Sequence, residues 1–170
     1  MKVLPIVGSL LLSTVLAASA GQASKPGVIP QGLADGPYVH LMAMHHEEGM
    51  KMAGLAAKKA SNASVTALAA RVLSNQQTEL AQLRQFMTSV AEDMAPSNKD
   101  MMKKMPVEKL ETASGAAFDR MFLDMMIEHH QDALTMTRGA KLVMPGVQEF
   151  ARRATTRLES ELKEMQTLRK

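Results

Sequence analysis

The chain has 170 residues, of which 46% are apolar, so it is bounded to one globular domain with a modest core rather than a disordered polymer. Aromatic residues make up only 3%, which disfavours sheets and barrels and leaves Ala, Leu and Met to fill a helical core. A formal charge of +3 without a basic block is too slight to argue for nucleic acid, and the absence of cysteine excludes disulfide staples.

In chain order, Lys2 precedes an apolar stretch from Val3 to Ala17 and the A-x-A pattern Ala18-Ser19-Ala20, which predicts a cleaved signal peptide over 1–20. Pro5 and Gly8 interrupt that stretch, and it is short for a membrane span. The expectation is a periplasmic or otherwise exported protein with no membrane anchor after cleavage. Pro26, Gly27, Pro30, Gly32 and Gly36 mark 21–36 as a flexible leader.

Pro37, at a helix-start position, opens a periodic run to about Lys59. Ser61, Asn62 and Ser64 then offer caps for a second helix, striped by Val65, Leu68, Val72, Leu80, Leu83, Met87 and Val90. Pro96 and Pro106 bracket a looser connector, 95–114, that contains Met101, Met102 and Met105. Ser114 caps a third helix from about Ala116 to Val143, and Pro145-Gly146 precede a fourth with Val147, Phe150, Ala154, Leu158, Met165 and Leu168 on one side. Short breaks within each pair predict two antiparallel hairpins, 37–94 and 115–170. The fold class is all-α, a four-helix bundle over 37–170.

The hairpins are copies. A shift of 84 places Tyr38 on Phe122, Met42 on Met126, His45 on His129, His46 on His130 and Met52 on Met136. After the inter-helix break the shift is 82, matching Leu68 with Phe150, Arg71 with Arg153, Glu79 with Glu161 and Leu80 with Leu162.

All five histidines, His40, His45, His46, His129 and His130, fall in the two related windows. Residues three or four apart share a helix face, so Met42 sits beside His45 and His46, with Met50 one turn beyond His46. Met126 sits beside His129 and His130, Met125 stacks on His129, and Met52 and Met136 lie further along each helix. Adjacent histidines point about 100° apart, which predicts that one of each doublet faces inward and the other an edge. A Met stripe is most often core filler, and a lone His is usually just hydrogen-bonded. Two equivalent His-His doublets in a duplicated bundle weigh the other way, because bundle cores build metal sites from facing helices.

Ligand softness selects the ion. Ferritin-like di-iron sites use Glu-x-x-His, but both copies here hold Met instead, as Met42-x-x-His45 and Met126-x-x-His129. Thioether in place of carboxylate disfavours iron and favours copper, Cu(I) above all, with zinc second through imidazole. Glu48 and Asp132, equivalent and three residues after His45 and His129, are candidate ligands or partners that orient imidazole. Glu79 and Glu161 fall near the apolar stripes, where an inward carboxylate needs a partner, a metal or a protonated His. The Met101, Met102 and Met105 group is a candidate accessory Cu(I) patch.

The segment Phe118-Asp119-Arg120-Met121-Phe122-Leu123-Asp124-Met125-Met126-Ile127-Glu128-His129-His130-Gln131-Asp132-Ala133-Leu134-Thr135-Met136 resembles the domain-of-unknown-function 305 family, and Tyr38 to Ala53 is a looser version of it. The resemblance runs from about Gly36 to the end and implies a ferritin-like bundle, export, and a link to copper binding and resistance. Where the family often has Pro before the doublet, this chain has Met44 and Glu128.

The function expected is copper sequestration, transport or resistance rather than catalysis. The alternatives are a metal-dependent oxidase and a Met-rich interaction module without metal. No Ser/His/Asp or Cys/His nucleophile arrangement is visible. Expected partners are the ion, a protein that donates or accepts it, and a second copy of the chain.

Overall fold

The computed structural model describes residues 31–90 and 105–170. Among these residues there are five helices and no strand: α1 Asp35–Lys59, α2 Ala63–Met87, α3 Val107–Thr112, α4 Gly115–Gly139 and α5 Pro145–Leu168. The chain is all-α, as its composition predicts. α1 packs along α2, α4 packs along α5, and α1 also crosses α4. Tyr38 near the start of α1 hydrogen-bonds Thr137 near the end of α4 at 3.2 Å, so those two helices run antiparallel.

Local chemistry sets the helix ends. The Asn62 side chain accepts from the Ser64 N–H at 2.8 Å and caps α2, while Pro145 opens α5 where its missing N–H costs nothing. Asp35 in the first turn and Lys58 and Lys59 in the last complement the dipole of α1.

The turns are held by a device that obeys the internal duplication. The Asp119 carboxylate, at the start of α4, accepts from the Ser61 and Asn62 N–H groups, both at 2.9 Å, and from the Ser61 hydroxyl at 2.5 Å. Asp35, its equivalent on α1, accepts from the Val143 and Met144 N–H groups, each at 3.1 Å. Each hairpin turn is therefore tied by the first helix of the other hairpin.

Several boundaries differ from expectation. The end of the segment read as leader is ordered: Asp35 and Gly36 belong to α1, and the Gly32 N–H donates to the Gly139 carbonyl at 2.6 Å. The third long helix stops at Gly139 rather than Val143, because residues 140–144 serve Leu33 and Asp35 instead, with Lys141 N–H donating to the Leu33 carbonyl at 2.8 Å. Val143 accordingly stands 77% exposed. The segment read as connector carries α3, whose Leu110 is fully buried. Met105 is buried against the same core, while Met101 and Met102 lie outside the described residues.

Two apolar clusters fill the bundle. One gathers Tyr38, Met42, Leu83, Met136, Val147 and Phe150; the other gathers Met52, Leu68, Phe118, Phe122, Met126 and Met165. Burying each large side chain contributes roughly 1.5–3 kcal/mol. Along all four long helices the two clusters are separated at one level. On α1 the break holds His45 and His46, on α4 His129 and His130, on α2 Gln76 and Glu79, and on α5 Glu161. A buried polar layer thus lies between two apolar plugs.

Candidate metal centre

His45, His46, His129 and His130 are 4%, 3%, 2% and 0% exposed. The expectation that one of each doublet faces an edge is corrected here. In a bundle α1 packs against both α2 and α4, so directions about 100° apart are both interior. His45 meets α4, and His46 meets α2.

Burial demands partners, and the duplicated glutamates supply them. His46 Nε2 lies 3.0 Å from Glu79 Oε2, and His130 Nε2 lies 2.9 Å from Glu161 Oε2. The two contacts are equivalents under the internal repeat. The carboxylates then diverge: Glu161 Oε1 accepts from Asn75 Nδ2 at 2.7 Å, whereas Glu79 Oε1 pairs with the Arg157 guanidinium.

Hydrogen-bond partners fix the ring protons. The Met42 carbonyl can only accept, so His46 Nδ1, at 2.8 Å, carries a proton. Its contact with Glu79 needs a second proton shared between ring and carboxyl, which leaves His46 no bare nitrogen. Burial pulls its pKa down to about 4. Glu161 is held below the usual carboxylate range. Burial pushes it up, but hydrogen bonds from His130 and Asn75 and the nearby positive groups outweigh that. An ionised Glu161 makes His130 Nε2 the donor, and Nδ1 has no hydrogen-bond partner. His129 Nε2 donates to the His45 carbonyl at 3.0 Å, so its Nδ1 is bare.

The His45 and His129 rings stack with centroids 3.6 Å apart and planes 29° from parallel. Burial, then the neighbouring His129, holds His45 well below the usual imidazole range; burial, then His130, lowers His129 to about 3. Both are neutral at pH 7. His45 Nε2, His129 Nδ1 and His130 Nδ1 are buried without a hydrogen-bond partner. Buried polar atoms are ordinarily satisfied, so three orphaned imidazole nitrogens in one layer call for an explanation.

The thioethers flank this layer. Met42 and Met136 are buried in one apolar cluster and Met52, Met125 and Met126 in the other, an arrangement that again obeys the repeat. Met50 is half-buried against the first cluster. Met125 also lines a cavity of about 510 Å³ with Met121 and Arg120. His40 is half-buried on α1 with Nε2 unpartnered, and Asp132 is half-buried on α4. Glu48 has structural work: its carboxylate accepts from the Met105 N–H at 2.8 Å, pinning the chain ahead of α3.

Four inward residues were not singled out from sequence. Asn75 and Arg157 complete the two His–Glu pairs. Gly49 admits the Gln76 amide and the His129 ring, whose atoms lie 2.4 and 2.5 Å from where a Cβ would stand. A glycine in the middle of a helix was the available signal.

Among the described residues, no three His, Cys, Asp or Glu side chains converge as a ready metal cage. An ion in this layer therefore needs thioethers to complete its shell or a small movement of the rings. Bare neutral nitrogens suit a soft cation, since loading one displaces no proton.

A bundle of two duplicated hairpins with a buried His/Met layer defines a helical protein with donors for a soft metal. The family described as Domain of unknown function (DUF305) matches residues 35–169, and the chain belongs to that family. CopM in its Cu(II)-bound form is similar at 24% identity and a TM-score of 0.71, covering 81% of this chain and 97% of that one. CopM in its Cu(I)-bound form gives 24% identity and a TM-score of 0.67, covering 79% and 94%. A putative secreted DUF305 protein from Streptomyces coelicolor gives 21% identity and a TM-score of 0.69, covering 79% and 90%. These likenesses establish the shared helical fold. No curated protein matches the chain. No described helix is long and apolar enough to cross a membrane.

Proposed function

We propose that the chain is an exported copper-binding protein that takes Cu(I) into its buried His/Met layer, for sequestration or delivery rather than catalysis. One observation carries the reading. Three buried imidazole nitrogens, His45 Nε2, His129 Nδ1 and His130 Nδ1, have no partner within the protein. An unpaired buried acceptor costs about 1–3 kcal/mol, and a bound cation would remove that cost. The donors are imidazole and thioether, which favour Cu(I). Both layer carboxylates are engaged by histidine, so the di-iron alternative lacks its hard ligands. CopM, which shares the fold, has structures with Cu(I), Cu(II) and Ag bound, and the soft ions Cu(I) and Ag among them are consistent with this reading. Export rests on the signal-peptide pattern of 1–20.

The test is an anaerobic titration with Cu(I), Cu(II) and Zn(II) against chelators of known affinity. The reading expects Cu(I) to be held most tightly. If none of the three binds more tightly than a generic surface His pair, the reading is wrong.

A further inference from the structure

The two halves are copies, yet the polar layer is not symmetric. His46 and His130 are equivalents, and each meets its equivalent glutamate. The residue completing each pair sits at a third equivalent position, and there the copies differ, with Asn75 on α2 and Arg157 on α5. Two more inward positions differ as well. Gln76 stands where the other copy has Leu158, and Gly49 where it has Ala133. Both changes add polar room beside His129, because the space left by Gly49 holds the Gln76 amide and the His129 ring.

The consequences for a cation are opposite on the two sides. His46 spends Nδ1 on the Met42 carbonyl and Nε2 on Glu79, with the Arg157 guanidinium paired to the same carboxylate. A metal brought there would have to break a hydrogen bond; the Arg157 charge, which also reaches Glu161, does not distinguish the two sides. On the other side, Glu161 is bridged by the neutral Asn75 amide and holds His130 by Nε2, leaving Nδ1 without a partner. Carboxylate–histidine pairs of this kind orient a ligand ring and raise its basicity.

We propose that the duplicated bundle holds one soft-cation site rather than two, built from His129, His130 and His45 with flanking thioethers. The His46–Glu79–Arg157 triad is a structural replacement for the second site, and Asn75 is a positioning residue that acts through Glu161. This proposal rests on the copper reading above.

The test uses the protein labelled with ¹⁵N-histidine, titrated anaerobically with Cu(I) and followed through its ring nitrogens. Saturation is expected at one equivalent, with the Nδ1 signals of His129 and His130 moving and those of His46 unchanged. Asn75→Leu, similar in shape but without a donor, is expected to weaken Cu(I) binding about 10- to 100-fold and to mix the His130 tautomers. Arg157→Leu, at the equivalent position, is expected to change affinity by less than about threefold, since its guanidinium pairs with Glu79 and reaches Glu161 only through its charge. If either variant fails to fold, wild-type stoichiometry and ring shifts decide alone. Two ions of equal affinity, His46 signals moving with those of His130, or equal losses in the two variants would overturn the proposal. A wild type in which no ring nitrogen responds removes the copper reading itself.

Discussion

His45 and His129, equivalent residues of the two hairpins, stack 3.6 Å apart where α1 crosses α4. Two imidazolium rings cannot share that contact, and burial holds each ring below the usual imidazole range, so both are neutral at pH 7. The chain places its least protonatable histidines where a metal would need bare nitrogens.

That relationship predicts acid sensitivity in the metal-free protein. His129 titrates at about 3 when folded, against 6.5 when unfolded, and burial holds its stacking partner His45 well below the usual range as well. Below pH 6.5 the unfolded chain binds more protons than the folded one. Stability is therefore full above 6.5 and is lost as pH falls toward 3. The melting temperature should drop by at least about 5 °C between pH 7.5 and pH 5. Changing His45 and His129 together to Phe should flatten that dependence. A wild-type melt unchanged over this range would contradict the assignment.

Gly49 and Gly54 lie on the same helix and should respond to alanine with opposite signs. A Cβ at Gly49 would overlap the Gln76 amide and the His129 ring, which is pinned against His45. Gly49→Ala should cost about 1–3 kcal/mol through overpacking, measured by denaturant melts. It should also weaken metal binding by displacing His129. At Gly54 nothing lies within 4 Å, so Gly54→Ala should stabilise by up to about 1 kcal/mol through helix propensity.

The crossed aspartate clamps give a third prediction. Asp119→Ala leaves the Ser61 and Asn62 N–H groups without their acceptor and should cost about 1–3 kcal/mol. Asp35→Ala should cost a similar amount at the other turn. The two sites share no partner, so the losses in the double variant should add to within about 0.5 kcal/mol. A strongly non-additive double variant would mean that the turns are coupled through the bundle.

Much of this architecture is legible in the sequence because the duplication writes it twice. The shift of 84 aligned both His doublets, and the shift of 82 aligned Glu79 with Glu161 as inward carboxylates in need of partners. Continued upstream, the shift of 84 pairs Asp35 with Asp119 and would have exposed the clamps. What the repeat could not reveal is where the copies differ in use. Asn75 and Arg157 look like ordinary polar helix residues until packing brings them to equivalent carboxylates. Glu48 carried the same spacing from histidine as Asp132, but a contact with Met105, 57 residues away, engages it. Helical angle alone also misjudged the doublets, because it counts one buried face where a bundle offers two.

The central claim is that Cu(I) sits between buried imidazoles and thioethers, and X-ray absorption at the copper edge of the Cu(I)-loaded protein tests it most directly. The account predicts a first shell containing both nitrogen and sulfur scatterers, with the multiple-scattering signature of imidazole. A shell of light atoms alone, or of sulfur without imidazole, would contradict it.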